Sequence, residues 1–215
     1  MGKWANGQMS KWANGRIGNT NHASRITLAI TGASGVRYGL RLAEILADHE
    51  LHLVVTEAAK TVIAHEIGDV DKVLADLDRL GCRYEETDID APPASGSFDV
   101  AAMIICPCSM KTLAAVAHGY AHNLVARAAD VMIKEGRPLV LVPRETPLSA
   151  IHLENMLALA RLGVRIVPAM PGFYHQPRTM DHLTDFVVGK VLDQLPQVAH
   201  TLYRRWGQKD PVIQA

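Results

Sequence analysis

The chain has 215 residues, 48% of them hydrophobic and 20% charged, with 22 basic side chains balanced by 22 acidic ones. That is enough for one compact domain with a proper core, and a formal net charge of zero gives no long-range pull toward nucleic acid or an anionic membrane. Three cysteines, no signal-type apolar segment and no run near the ~20 residues of a bilayer span point to a cytoplasmic protein in a reducing compartment.

Residues 1–24 stand apart. "KWANGQMS" followed by "KWANGRIG" is a near-repeat rich in Asn and Gly, with Trp4 and Trp12 as its large apolar side chains and neither a helical nor a strand period. It reads as a disordered extension or a misassigned start; the competing reading makes the two Trp residues an anchor on a neighbouring subunit. From Arg25 onward short apolar runs alternate with helical periods, so 25–195 is taken as one domain and 196–215 as an irregular tail.

"RITLAIT" (25–31) predicts a strand, then "GASGVRYG" opens a helix running to about His49. "LHLVVT" (51–56) predicts a second strand with a helix to about Ile67, and Asp71 to Leu80 another helix closed by Gly81. "APPASGS" (91–97) is a loop by composition. "VAAMIIC" (100–106) is a continuous apolar run, as in a strand covered on both faces. Met110 to Glu135 reads as helical with a break near Gly119 to Asn123. "PLVLVP" (138–143) and "VRIVP" (164–168) are the fourth and fifth strands. Between them Ser149 caps a helix to Leu162, which Gly163 stops. Thr179 caps a last helix with a stripe through Met180, Leu183, Phe186 and Val187.

Strands alternating with helices predict a mainly parallel sheet with helices on both faces, and ligands in such sheets bind beyond the carboxyl ends of the strands. "TGASGVRYG" offers backbone N–H groups at a helix start, but its glycines, at 32, 35 and 39, miss the dinucleotide spacing, so a tight turn without a ligand competes. In "CPCSMKT" the Cys-x-Cys spacing fits neither a redox pair nor a zinc site. Cys106 is read as the small end of a buried strand, and Ser109, Lys111 and Thr112 as donors at a helix start. Arg144 and Glu145 form either a surface ion pair or an Arg fork beside a proton-moving carboxylate. Arg127 and Lys134 share one helical face, either solvated or facing a phosphate. Phe173 and Tyr174 in "PGFYHQP" are an aromatic wall or a core plug, and His175 is an acid–base candidate or polar surface.

Together these loops resemble the UbiX family of flavin prenyltransferases. The resemblance covers roughly Arg25 to Trp206 and rests on "TGASGVRYGLRL", "SGS", "CPCSMKTLAAVAHG", "NLVARAADVMIKEGRPLVLVPRETPLSAIHLENML", "PAMPGFYHQP" and "RRWG". It implies a flavodoxin-like (Rossmann-like) three-layer α/β fold, trimers packed into dodecamers with sites between subunits, and no metal. It implies transfer of a dimethylallyl group from dimethylallyl phosphate to N5 and C6 of reduced FMN, the product serving a UbiD-type decarboxylase. Carried over by motif, the flavin contacts are Gly32, Ala33, Ser34, Thr56, Ser109, Met110, Lys111, Thr112 and Arg144. The prenyl phosphate contacts are Tyr174 and Lys190, with Arg127 and Lys134 from a neighbouring chain. Ser34, Glu66 and Glu145, with Arg127 and Lys134, are the implied catalytic set. Thr56 stands where Ser is usual, and Lys190 where Arg is usual, which keeps the charge and loses the bidentate fork. The rival readings are a flavin-dependent decarboxylase of a thiol-bearing substrate, direct decarboxylation of aromatic acids, and a non-enzymatic flavin carrier.

Overall fold

The computed structural model describes residues 24–207; the KWANG near-repeat lies outside them. The strands are β1 (Arg25–Ile30), β2 (Glu50–Val55), β3 (Cys82–Tyr84), β4 (Ala102–Cys108), β5 (Leu139–Pro143) and β6 (Arg165–Ile166). The helices are α1 (Val36–Ile45), α2 (Glu57–Glu66), α3 (Val70–Leu80), α4 (Met110–Ala117), α5 (Leu124–Lys134), α6 (Ala150–Arg161) and α7 (Met180–Leu192). All the strand pairs are parallel, in the order β3-β2-β1-β4-β5-β6. The expected flavodoxin-like sheet is therefore present, with the chain reversing its direction of travel across the sheet between β1 and β4.

Side-chain alternation sorts the core into two layers. Ile26, Leu28 and Ile30 of β1, Ile104 and Cys106 of β4, and Val140 and Val142 of β5 pack with Val36, Leu42, Ile63, Leu77 and Val188. Their neighbours Ala29, Met103, Ile105, Leu139 and Leu141 point the other way, toward Leu113, Val125, Met132 and Leu159. Helices α1, α2, α3 and α7 thus cover one face, and α4, α5 and α6 the other. Burial on both faces is why β4 reads as an unbroken apolar run.

Three expectations need correction. β3 was not foreseen, because three residues of mixed burial show no period. β4 continues past Cys106 to Cys108, and a register shift between Ile105 and Cys108 turns Cys108 into the layer opposite Cys106. β6 is two residues long, shorter than "VRIVP". The break between α4 and α5 falls where expected, and Asn123 caps α5 by accepting from Ala126 N at 3.0 Å. The segment after Pro196 is irregular, yet Val198, Leu202 and Tyr203 pack on the core.

Helix α1 is seated tightly on the sheet at Gly39. A Cβ there would lie 2.3 Å from the Cys106 carbonyl oxygen and 2.9 Å from Ile30 Cγ1, so backbone would have to move. Gly39→Ala is expected to lower stability by about 1–3 kcal/mol in urea denaturation, the overpacking cost outweighing the gain in helix propensity. An unchanged midpoint would show that α1 is not seated this tightly.

Candidate functional site

The loops after β1, β2, β4 and β5 meet at the point where strand order reverses, the place such sheets use for ligands. Thr31, almost wholly buried, ties the crevice together. Its hydroxyl donates to the Pro107 carbonyl at 2.8 Å and accepts from Ser109 N at 2.8 Å. Gly32, Ala33 and Ser34 follow directly, and Gly35, at φ 99°, caps α1 without a side chain.

The donors left by that turn are taken by Glu66, from the end of α2. Its carboxylate accepts from Gly35 N at 3.0 Å and from Val36 N at 3.2 Å, placing negative charge at the positive end of α1 beside Ser34. Thr56 caps α2, accepting from Ala59 N at 3.2 Å, which leaves its hydroxyl proton to donate. Ser109 caps α4, accepting from Thr112 N at 3.2 Å, and donates to Thr112 Oγ1 at 3.0 Å. That turns the Thr112 proton outward. The N–H groups of Met110 and Lys111, at the first positions of α4, have no carbonyl one turn earlier within the helix.

Arg144 follows β5 and lines a cleft of about 450 Å³ with Glu145, Thr146, Leu148, Met156, Pro168, Ala169 and Met170. Its Nε is buried and has no hydrogen-bond partner among the described residues. Glu145 does not pair with it: the Glu145 carboxylate accepts from Thr146 N at 2.9 Å. Of the two readings left open for this pair, the mutual ion pair is not the arrangement seen: Glu145 is tied to the Thr146 N–H and Arg144 lines the cleft. Tyr38 on α1 belongs to the same crevice. Burial, together with the negative charge of Glu66, raises its pKa against the opposing pull of Arg144.

A second cluster lies beyond β6, on α7 and the chain that follows it. Tyr174 makes edge contacts with Phe186 at 5.6 Å and with Trp206 at 5.5 Å. His175 stacks on Phe186 at 4.8 Å, and neither of its ring nitrogens has a hydrogen-bond partner among the described residues. Phe173 is exposed. The Lys190 ammonium sits over the Tyr203 ring at 5.2 Å, and its pKa is raised by that phenol and, more weakly, by Asp193 and Tyr174. Arg127 and Lys134 are on α5, paired with Asp130 and Glu135; a single chain does not bring them to Tyr174 or Lys190. Thr31, Tyr38, Tyr203 and Trp206 escaped the reading of the sequence; only the "RRWG" motif hinted at the last.

The donors fit a flavin: backbone N–H groups and hydroxyls of two helix starts face a crevice that also holds an orphaned guanidinium nitrogen. Among the described residues no group of three or more His, Cys, Asp or Glu side chains converges as metal ligands, and no helix is long and apolar enough to cross a membrane.

An open parallel sheet with such a crevice at its switch point defines a class, and the Flavoprotein family model matches residues 16–193. Within that class, the chain belongs to the family of UbiX flavin prenyltransferases. It is 51% identical over 193 residues to the flavin prenyltransferase UbiX of Halalkalibacterium halodurans, covering 85% of this chain and 93% of that one. The crystal structure of AnUbiX (PadA1) in complex with FMN and dimethylallyl pyrophosphate superposes with a TM-score of 0.81 at 40% identity, over 87% of this chain and 99% of that one. A dodecameric FMN-dependent UbiX-like decarboxylase from Escherichia coli O157:H7 gives 0.75 at 49% identity, over 79% and 93%.

Glu66 offers a direct check of the crevice. Glu66→Ala leaves the Gly35 and Val36 N–H groups without their acceptor and is expected to cost about 0.5–1 kcal/mol of stability, with Glu66→Gln recovering part. Thermal or urea unfolding of the three proteins measures it, and equal stability of all three would contradict the contact.

Proposed function

We propose that the protein transfers a dimethylallyl group from dimethylallyl phosphate to N5 and C6 of reduced FMN, in the cytoplasm, to supply a UbiD-type decarboxylase. The observation that carries this reading is the pairing of two sites in one fold. One is a crevice of neutral donors with the unpartnered Arg144 Nε; the other is an aromatic and cationic cluster of Tyr174, Trp206, Phe186 and Lys190. Membership of the UbiX family and the likeness to a structure holding FMN and dimethylallyl pyrophosphate support it. Domain bounds of 25–195, with the remainder as extension and tail, are part of the same reading.

Bound FMN would supply the nucleophilic ring atoms. Ser34, Thr56, Thr112 and the N–H groups of Gly32, Met110 and Lys111 would hold it by its polar edge, with Arg144 donating from the cleft side and Ala33, whose N–H is given to the Thr31 carbonyl at 2.8 Å, lining the turn. Departure of an allylic phosphate leaves negative charge on the leaving group. Lys190 and the Tyr174 hydroxyl would stabilise that charge without a metal, completed by Arg127 and Lys134 of a neighbouring chain. The aromatic side chains of Tyr174, Phe173 and Trp206 would keep water from the carbon that becomes electron-poor. Glu66, held at the start of α1, and Glu145, anchored on the Thr146 N–H, are the carboxylates placed to accept protons.

A site shared between chains requires assembly. Ile151, Leu153 and Leu157 of α6, with Leu162 at its end and Met170, are more than half exposed, apolar side chains that contacts with other copies would cover. The trimer and dodecamer are proposed on that ground, with the dodecameric relative as support.

Anaerobic incubation with FMN, a reductant and dimethylallyl phosphate is expected to yield flavin carrying an added five-carbon unit by mass spectrometry. Unmodified flavin, with a working positive control, would contradict the activity. Lys134→Ala is expected to lose turnover and retain FMN; loss of FMN instead would show that Lys134 serves the flavin rather than the phosphate.

A further inference from the structure

The segment after α7 packs Val198, Leu202 and Tyr203 on the core, and its polar ties converge on one carboxylate. Asp193 follows the last residue of α7 with its side chain only 16% exposed. It accepts from His200 Nε2 at 3.0 Å, from Arg205 Nη2 at 2.8 Å and from the Tyr203 hydroxyl, and lies 3.6 Å from Lys190 Nζ. Burial by itself would raise its pKa; the bonds from Tyr203, His200 and Arg205 outweigh burial and hold it below the usual carboxylate range. It is ionised at neutral pH, an acceptor shared by four donors.

The helix beneath is shaped for the same contact. Gly189 is the only glycine in α7, and a Cβ there would lie 2.5 Å from Tyr203 Cδ1 and 3.1 Å from His200 Cε1. Glycine in the interior of a helix costs about 1 kcal/mol relative to alanine, and here it makes room for the Tyr203 ring against the helix backbone. Tyr203 then touches Phe186 at 5.1 Å, Phe186 touches Tyr174, and Tyr174 touches Trp206. The carboxylate and the glycine therefore determine together where Lys190, Tyr174 and Trp206 stand.

We propose that Asp193 is a positioning residue: by docking the segment from His200 to Trp206 into the Gly189 seat, it orients Lys190 and the Tyr174–Trp206 pair toward the prenyl phosphate. This rests on the reading of Tyr174 and Lys190 as the phosphate side of the site. Asp193 itself touches neither substrate nor flavin. Its function is paired with a cost, because a carboxylate beside an anion site repels the anion. The two effects have opposite signs, which makes the proposal testable.

Asp193→Asn and Gly189→Ala are compared with the wild type as FMN-loaded full-length protein. Repulsion alone predicts a lower KM for dimethylallyl phosphate in Asp193→Asn; docking predicts a KM raised about tenfold, with kcat and FMN affinity little changed. Gly189→Ala changes no charge and favours the helix, so the same rise in KM is expected from displacement of Tyr203 alone. A readout independent of turnover is tryptic cleavage after Arg204 or Arg205, followed by intact mass. Both variants are expected to lose the terminal peptide several times faster than the wild type. A lowered KM in Asp193→Asn, an unchanged KM with faster cleavage, or cleavage as fast in the wild type would each overturn the proposal. So would loss of FMN in step with loss of stability, the pattern of a merely structural residue. If the wild type alkylates no flavin, the activity reading fails; trypsin still decides whether Asp193 docks the segment.

Discussion

The Thr31 hydroxyl holds the molecule's functional end together. It sits where β1 stops, gives its proton to the Pro107 carbonyl and takes one from the Ser109 amide, so the ends of β1 and β4 cannot separate without leaving buried groups unpaired. Because the order of strands reverses between these two, their ends are also where helices leave the sheet toward opposite faces. The crevice is therefore a consequence of parallel topology, and Thr31 sets its width. From that fixed point α4 starts with the Met110 and Lys111 N–H groups at the opening, while the first N–H groups of α1 are held by Glu66. Arg144 closes the far side from β5.

The second half of the site obeys different physics. Around Tyr174 no backbone ladder fixes positions; aromatic edges and a shared carboxylate do so instead. Phe186 is anchored in the core by α7 and carries Tyr174, His175 and Tyr203 on its ring, and Asp193 gathers the polar groups of the following segment. A crevice fixed by backbone and buried hydroxyl bonds is thus combined, in one fold, with an aromatic and cationic cluster held mainly by side chains. That division suits a reaction with one planar acceptor and one small donor that must enter and leave.

Much of this was legible in the chain. Continuous apolar runs announced buried parallel strands, Ser149 and Thr179 cap the helices they were expected to cap, and Ser109 caps the helix it was expected to open. Parallel topology then pointed to the loops after those strands. What stayed hidden has physical reasons. Three residues are too few for β3 to show a period. The extension of β4 to Cys108 depends on a register shift, a property of pairing rather than of composition. Thr31 looks like any threonine in a strand until its partners are known. The segment after Pro196 looked irregular because Val198, Leu202 and Tyr203, which pack on the core, follow no helical or strand period, and its polar ties gather on Asp193.

The account stands or falls on where a planar ring lies relative to the β1–β4 crevice. A crystal structure of the assembled protein with FMN and dimethylallyl phosphate measures this directly. The flavin is predicted between the Ser34 turn and Arg144, with the phosphate against Tyr174 and Lys190 and the α5 of a neighbouring chain closing the pocket. A flavin seated elsewhere, or Tyr174 and Lys190 facing bulk solvent away from the ring, would contradict it.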